Sequence, residues 1–102
     1  MTATEDNLEL LIPGAQLTHL LTIVSDDGLR SLKTVIDTID REGATLHGAN
    51  LARLGPSMVH RIRIGGIRAS AARDVARRLE NLSGVTRVSV EHYVSREPDS
   101  AR

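Results

Sequence analysis

The sequence predicts an α+β fold in which four strands and two helices follow one another in the order βαββαβ. Two observations support this prediction. Residues 17–54 and residues 57–94 repeat one pattern of strand, helix, glycine and strand. Between the repeats, Gly55-Pro56 is typical of a hairpin turn, which makes the two flanking strands antiparallel. We therefore expect one four-stranded antiparallel sheet with two helices on one of its faces, which is the ferredoxin-like arrangement.

Both helices are predicted from apolar residues that recur at spacings of three and four. The first is expected to begin at about Leu29 and to end at Gly43, and the second to run from about Ala71 to Gly84. Glycine commonly follows the last turn of a helix because it tolerates a left-handed backbone. The residues expected to cap the helix starts are Ser25, Asp26 and Asp27 for the first helix and Ser70 for the second.

A single layer of helices leaves the other face of the sheet uncovered. The alternation of residues along the strands predicts an apolar centre and a charged rim for this face. Such a surface is typical of an interface. We therefore expect a homodimer, formed through this face or by pairing of edge strands. The residues assigned to the face are His19, Leu21, Ile23, Ala49, Leu51 and the arginines of the third strand.

Length and composition indicate one small domain at residues 17–94, with an N-terminal tail at residues 1–16 and a C-terminal tail at residues 95–102. The core must be aliphatic, because the chain has one Tyr and neither Phe nor Trp. It has no Cys, which excludes disulfides and thiolate metal sites. The N-terminal residues are polar and acidic, and no apolar run is long enough to span a bilayer. A cytoplasmic protein without a membrane partner is expected.

Thirteen basic and thirteen acidic residues give a net charge of zero, but the charges are segregated. Residues 61–87 contain seven arginines, whereas residues 1–44 are rich in acids. This pattern indicates either a basic surface for an anionic partner or two neighbouring helices of complementary charge, and we favour the second interpretation. A nucleic-acid partner is not expected, because Tyr93 is the single aromatic residue that could stack on a base.

Neither catalysis nor a metal or other cofactor is expected. The four histidines lie on four different predicted strands, none has a second ligand two to four residues away, and strand alternation separates His19 and His47 from His60 and His92. No serine lies in a nucleophile motif. Gly65-Gly66 precedes the second helix and is interpreted as a tight turn.

Residues 23–29 (IVSDDGL) and the βαββαβ order resemble the ACT domain family, small regulatory modules that bind amino acids and control metabolic enzymes. The resemblance covers about residues 17–94. Gly28 and Leu29 match the family pattern at the first strand-to-helix junction, where Asp27 replaces a proline. Thr45 stands where the family has an asparagine at the start of its second strand.

The resemblance implies a ligand-binding site in which backbone N–H groups of Gly28 and Leu29 take a carboxylate, Asp26 or Asp27 takes an ammonium group, and a second subunit closes the pocket. The implied site residues are Ser25, Asp26, Asp27, Gly28, Leu29 and Thr45. The leading hypothesis is a stand-alone allosteric regulator that binds an amino acid or related metabolite at a dimer interface and controls a metabolic enzyme. The alternative is a ligand-free interaction protein, or a regulatory small subunit of a larger enzyme such as acetolactate synthase.

Overall fold

The computed structural model describes residues 15–96 and confirms the predicted fold class. The described residues form one sheet of strand order β2-β3-β1-β4, in which every neighbouring pair is antiparallel. Most of both predicted tails lies outside the described residues. None of the helices within residues 15–96 is long and apolar enough to cross a bilayer. In chain order the elements are β1 (Ala15–Ser25), α1 (Leu32–Arg41), β2 (Thr45–Leu54), β3 (Ser57–Gly65), α2 (Ala69–Glu80) and β4 (Val85–Arg96).

Both helices begin at residues other than those predicted. Helix α1 begins at Leu32, because Gly28 has a φ of 69° and the chain first makes short turns, such as the bond from the N–H of Leu32 to the carbonyl of Leu29 (3.0 Å). Its N-cap is Ser31. Helix α2 begins earlier, at Ala69, after an extended Arg68 that occupies the cap position expected for Ser70.

The end of α1 was predicted correctly, whereas α2 ends at Glu80, four residues before the predicted stop at Gly84. Gly43 and Gly84 follow the helices with φ values of 81° and 88°, a left-handed backbone that favours glycine.

The core lies between the sheet and the helices, and it is aliphatic as predicted. Leu21 and Ile23 are fully buried there, against Val35 of α1 and Leu79 of α2. The prediction that these two residues, with His19, centre the uncovered sheet face is therefore wrong. Residues of β1 are apolar at both parities, so alternation along this strand could not orient it, and a shift of one residue exchanges the two faces.

The register with β3 decides the orientation of the sheet. Leu21 pairs with the buried Ile62, whereas Leu20 pairs with the exposed Arg63. Ala49 and Leu51 of β2 pair with Ile62 and His60 and so also lie on the helix side. They are exposed nevertheless, because β2 is at the edge of the sheet.

The uncovered face, called the open face below, is polar. It carries alternate residues from each strand: Gly48, Asn50 and Ala52 of β2, Val59, Arg61 and Arg63 of β3, Thr18, Leu20, Thr22 and Val24 of β1, and Arg87, Ser89, Glu91 and Tyr93 of β4.

Candidate ligand site at the first strand-to-helix turn

The connection between β1 and α1, residues 26–31, is called the first turn below. It is held against the connection between α2 and β4, residues 81–84, by a hydrogen bond from the N–H of Asp26 to the carbonyl of Gly84 (2.9 Å). The two connections therefore meet at one end of the sheet, where β1 ends at the fully buried Ser25.

A cleft of about 650 Å³ opens between these two connections. Its volume lies in the range of pockets that hold small metabolites. The N-terminal end of α1 forms one wall of the cleft, and the two connections form the other walls. The lining residues are Asp26, Asp27, Arg30, Ser31, Thr34, Leu82, Ser83 and Gly84.

Asp27 joins the two sides of this cleft. Its carboxylate oxygens accept hydrogen bonds from the Ser31 hydroxyl at 2.8 and 3.1 Å, and that hydroxyl also lies 3.3 Å from the carbonyl oxygen of Ser83. The carboxylate rests directly on Gly84, where a Cβ atom would overlap it. The Asp27 side chain is therefore committed largely to holding the two connections together.

Asp26 and Arg30 offer charges to the cleft that the fold does not use. Both side chains are exposed, and within residues 15–96 neither forms an ion pair. A carboxylate and a guanidinium on one cleft present opposite charges to a ligand. The arrangement is chemically suited to a zwitterion, with charge-assisted hydrogen bonds at both ends.

The start of α1 adds donors to the same wall. Because the Ser31 hydroxyl bonds to Asp27, it forms no cap hydrogen bond with the backbone of α1. The first N–H groups of a helix have no carbonyl partner within the helix and carry a partial positive charge. Thr34 lies in the first helical turn of α1 and lines the cleft. The N–H of Leu32 is bonded to the carbonyl of Leu29, so a ligand carboxylate in the cleft would meet the N–H groups of Lys33 and Thr34 as well as Arg30.

Below the first turn, Ser25 and His60 form a buried pair. The Ser25 hydroxyl lies 3.1 Å from Nε2 of His60 and donates to the carbonyl of Gly28 at 3.4 Å. Nδ1 of His60 has no hydrogen-bond partner among the described residues. Burial lowers the pKa of His60, and the negative charge of Asp27 partly opposes this effect. Both side chains are fully buried, so the pair positions the turn and is closed to a substrate.

The structure brings together some of the predicted site residues and separates others. Asp26 and Asp27 line the cleft, and Gly28 supplies the left-handed residue of the turn. Ser25 lies beneath the turn, while Leu29 is 56% exposed and outside the cleft lining.

Thr45 lies at the opposite end of the sheet. It pairs with Gly65, which pairs with Thr18, and Thr18 precedes Ser25 by seven residues along β1. At about 3.3 Å per strand residue this places Thr45 about 23 Å from the end of β1. Within one chain it cannot reach the cleft, so only a second copy could supply it.

Sequence reasoning missed Arg30, Ser31, Thr34 and residues 82–84. The separation of Asp27 and Ser31 by four residues was a usable signal, because such residues are neighbours on a helical turn. Residues 82–84 gave no signal, because they are distant in sequence and approach the first turn only in the folded sheet.

His19 and His92 form a pair of histidines at the opposite end of the sheet from the cleft. Nε2 of His19 donates to the carbonyl of Ile67 (2.8 Å), and its Nδ1 lies 2.9 Å from Nδ1 of His92. One of the two rings donates and the other accepts in this contact. His19 is fully buried on the helix side, contrary to its predicted place on the open face. Within residues 15–96, no three potential metal ligands cluster.

Solved structures of other proteins resemble this fold, although sequence comparisons find no match. No protein-family model matches the sequence, and no curated protein is similar to it. The structure resembles the ACT domain from GTP pyrophosphokinase of Chlorobium tepidum with a TM-score of 0.63, at 14% sequence identity, over 76% of this chain and 99% of that chain. The chain has an ACT-like fold.

Two further solved structures resemble this chain. The C-terminal domain of the MgtC protein from Mycobacterium tuberculosis matches with a TM-score of 0.62 and 13% identity, over 88% of this chain and 98% of that one. A de novo designed protein matches with a TM-score of 0.55 and 13% identity, over 81% and 99% of the two chains. At such identities the likeness shows the fold alone, and function must be argued from the site.

Proposed function

We propose that this chain is a regulatory module that binds a small zwitterion, an amino acid or a related metabolite, in the cleft beside the first turn. The observation that carries the proposal is the presence of two opposite charges, Asp26 and Arg30, that no described residue neutralises on one cleft of metabolite size. The ACT-like fold is compatible with this role.

In this arrangement the ligand's ammonium group binds the Asp26 carboxylate, and its carboxylate binds the Arg30 guanidinium and the N–H groups of Lys33 and Thr34. This differs from the sequence hypothesis, which assigned the carboxylate to the N–H groups of Gly28 and Leu29. Because α1 begins at Leu32, the helix N-terminus lies nearer Thr34 and the cleft. A ligand bound here bridges the first turn and residues 82–84, and it thereby stabilises the contact between the two halves of the chain.

The experiment is isothermal titration of the protein with each of the twenty amino acids at millimolar concentration. We expect at least one to bind, and Asp26→Asn and Arg30→Gln each to weaken that binding by at least about tenfold, as loss of a charge-assisted hydrogen bond does. Asp40→Asn and Arg41→Gln are matched controls, because both residues are exposed at the far end of α1. Equal effects of the control and test variants would contradict the proposed site.

We also propose that the chain forms a homodimer through β2. This strand is at the edge of the sheet, and two of its leucines on the helix side, Leu46 and Leu51, are 52% and 41% exposed. A second copy pairing its own β2 alongside would satisfy the edge backbone groups and cover these leucines. Light scattering after size exclusion should give a dimer mass for the protein and for Leu29→Gln, and a monomer mass for Leu51→Glu.

The alternative is an interaction protein without a ligand, such as a regulatory small subunit of a larger enzyme. The exposed leucines of β2 favour it if they contact a different protein. Absence of binding by all twenty amino acids, together with tight co-purification of a catalytic subunit that Leu51→Glu abolishes, would establish this alternative over the leading proposal.

A further inference from the structure

We propose that the open face carries a second ligand site, separate from the cleft, in which Arg61 and Arg63 bind a small phosphate-bearing molecule. Both arginines lie on β3 and point to the open face, since the residues between and after them, Ile62 and Ile64, are fully buried on the other side. A depression of about 330 Å³ lies over them, with Leu20 and Asn50 also in its lining.

Gly48 shapes this depression. A Cβ atom at Gly48 would lie 3.2 Å from Nη2 of Arg63, so the guanidinium rests against the backbone of β2. The backbone of Gly48 is not among the described glycines with positive φ, so conformation does not require glycine here. The absent side chain instead provides the space that the guanidinium occupies.

A bulge in β2 borders the same region. The register shifts between Leu46 and Gly48, which leaves His47 as the extra residue. Its ring lies over Gly65, where a Cβ atom would be 2.8 Å from its Nε2. Gly65 is two residues after Arg63 on β3. His47 therefore lies beside the end of β3, outside the lining of the depression.

No described acid neutralises these arginines. Within residues 15–96 neither Arg61 nor Arg63 forms an ion pair. The acid in the same row of the open face is Glu91 on β4, two strands from Arg63 with Leu20 between them, which is about 10 Å across the sheet. The Tyr93 hydroxyl already donates to Glu91 at 2.7 Å. The charge of Arg61 acts on the Tyr93 hydroxyl across the open face, but neither arginine is held in an ion pair with a described acid.

The chemistry and size of the depression favour a small phosphate-bearing ligand. The Cα atoms of alternate strand residues are about 7 Å apart, and the planar guanidinium fork matches the geometry of phosphate oxygens. Leu20, which is 8% exposed, forms an apolar floor between the two arginines and the acid of β4. A nucleic acid is disfavoured, because the chain has no net charge and Tyr93 is its only base-stacking aromatic residue.

The test is an NMR titration of ¹⁵N-labelled protein with inorganic pyrophosphate, at an ionic strength held constant with sodium chloride. We expect saturable shifts at the amides of Gly48, Asn50, Arg61 and Arg63. Arg61→Gln and Arg63→Gln should each weaken binding by at least about tenfold. The control Arg87→Gln, which removes a charge elsewhere on the open face, should leave the affinity within about twofold.

Gly48→Ala sharpens this test, because it keeps every charge and moves only the guanidinium of Arg63. We expect it to weaken pyrophosphate binding several-fold while the urea midpoint remains close to that of the unmodified chain. Shifts that chloride reproduces, or equal losses in Arg87→Gln and Arg63→Gln, would show diffuse attraction and overturn the site. Tighter binding of an oligouridylate than of pyrophosphate through the same arginines would overturn it in favour of a nucleic-acid surface.

Discussion

The two halves of the chain share a β-α-β plan, but their strand-to-helix turns differ in length and in what they enclose. The first turn has six residues between Ser25 and Leu32, and it borders the cleft. The second turn, residues 66–68, has three, and the carbonyl of Ile67 is bound by His19. Helix α2 then begins with the fully buried Ala69. A short turn thus buries the start of its helix, whereas a long one leaves room for a ligand.

The two halves of the chain have different roles at the cleft. In the first half, Asp26 is exposed at the cleft beside the start of α1, where a ligand can contact it. The second half contributes the opposite wall of the same cleft, through Leu82, Ser83 and Gly84. Its own turn is occupied by the fold. The predictions below test whether the first turn depends on this opposite wall.

The largest effect is expected for Gly84→Ala. Its φ of 88° is strained for alanine, and the new Cβ would displace the Asp27 carboxylate. We expect a loss of about 2–3 kcal/mol in unfolding free energy, measured by urea denaturation. Gly55→Ala is the matched control, because Gly55 also has positive φ (62°) but nothing lies near its Cβ position, and it should cost about 1 kcal/mol. Equal losses would show that Asp27 does not depend on Gly84.

An intermediate effect is expected when the contact between Asp27 and Ser31 is removed. Asp27→Ala leaves the Ser31 hydroxyl, which is buried, without its carboxylate acceptor and should cost about 1–2 kcal/mol in the same assay. The double variant with Ser31→Ala should lose less than the sum of the two single losses. Strict additivity would mean that this hydrogen bond does not hold the first turn.

A smaller, pH-dependent effect is expected from His60. Burial lowers the pKa of His60 below the ordinary value of 6.5. At pH values between the lowered pKa and 6.5, the unfolded chain therefore binds a proton at His60 that the folded chain does not. Stability is therefore complete above pH 6.5 and is lost as the pH falls through the lowered pKa, with a slope of at most about 1.4 kcal/mol per pH unit. Urea unfolding midpoints measured from about pH 5 to about pH 8, a range that spans 6.5, report this pH dependence of stability. His60→Gln should remove this part of the slope, and an unchanged slope would exclude His60 as its source.

The smallest effect is expected from the ion pair that joins the two helices, between Arg78 and Glu42. Arg78 is 60% exposed, and exposed pairs contribute little. Arg78→Ala should lower the unfolding free energy by no more than about 0.5 kcal/mol. A larger loss would mean that the helix ends, rather than the two turns, hold the halves together.

Much of the fold could be predicted from the sequence, because its signals are local. The periodicity of the two helices, the glycines at positions 43 and 84, and the hairpin at Gly55-Pro56 each act over a few residues, and together they specify the order of elements. The orientation of β1 was not predictable from its own residues, since Leu20 and Leu21 are both apolar. The orientation of β1 follows from its pairing with β3, where Arg61 and Arg63 are exposed, and the sequence does not show the register of that pairing.

The candidate site was predictable in part, for the same reason. Asp26 and Asp27 could be identified as unusual acids before a helix, because they directly follow β1 in the strand-to-helix connection. The helix start was misplaced by three residues, since the left-handed Gly28 interrupts an apolar pattern that continues through Leu29. The far wall at residues 82–84 depends on tertiary contact, and no local pattern identifies it.

The central claim is that the first turn, and not the second, binds a ligand. The most direct measurement is amide chemical-shift mapping of the ¹⁵N-labelled protein with each of the twenty amino acids. At least one should give saturable shifts confined to residues 26–34 and 82–84, and these shifts should disappear in Arg30→Gln. Saturable shifts centred on residues 65–68, or no shift with any amino acid at millimolar concentration, would contradict the claim.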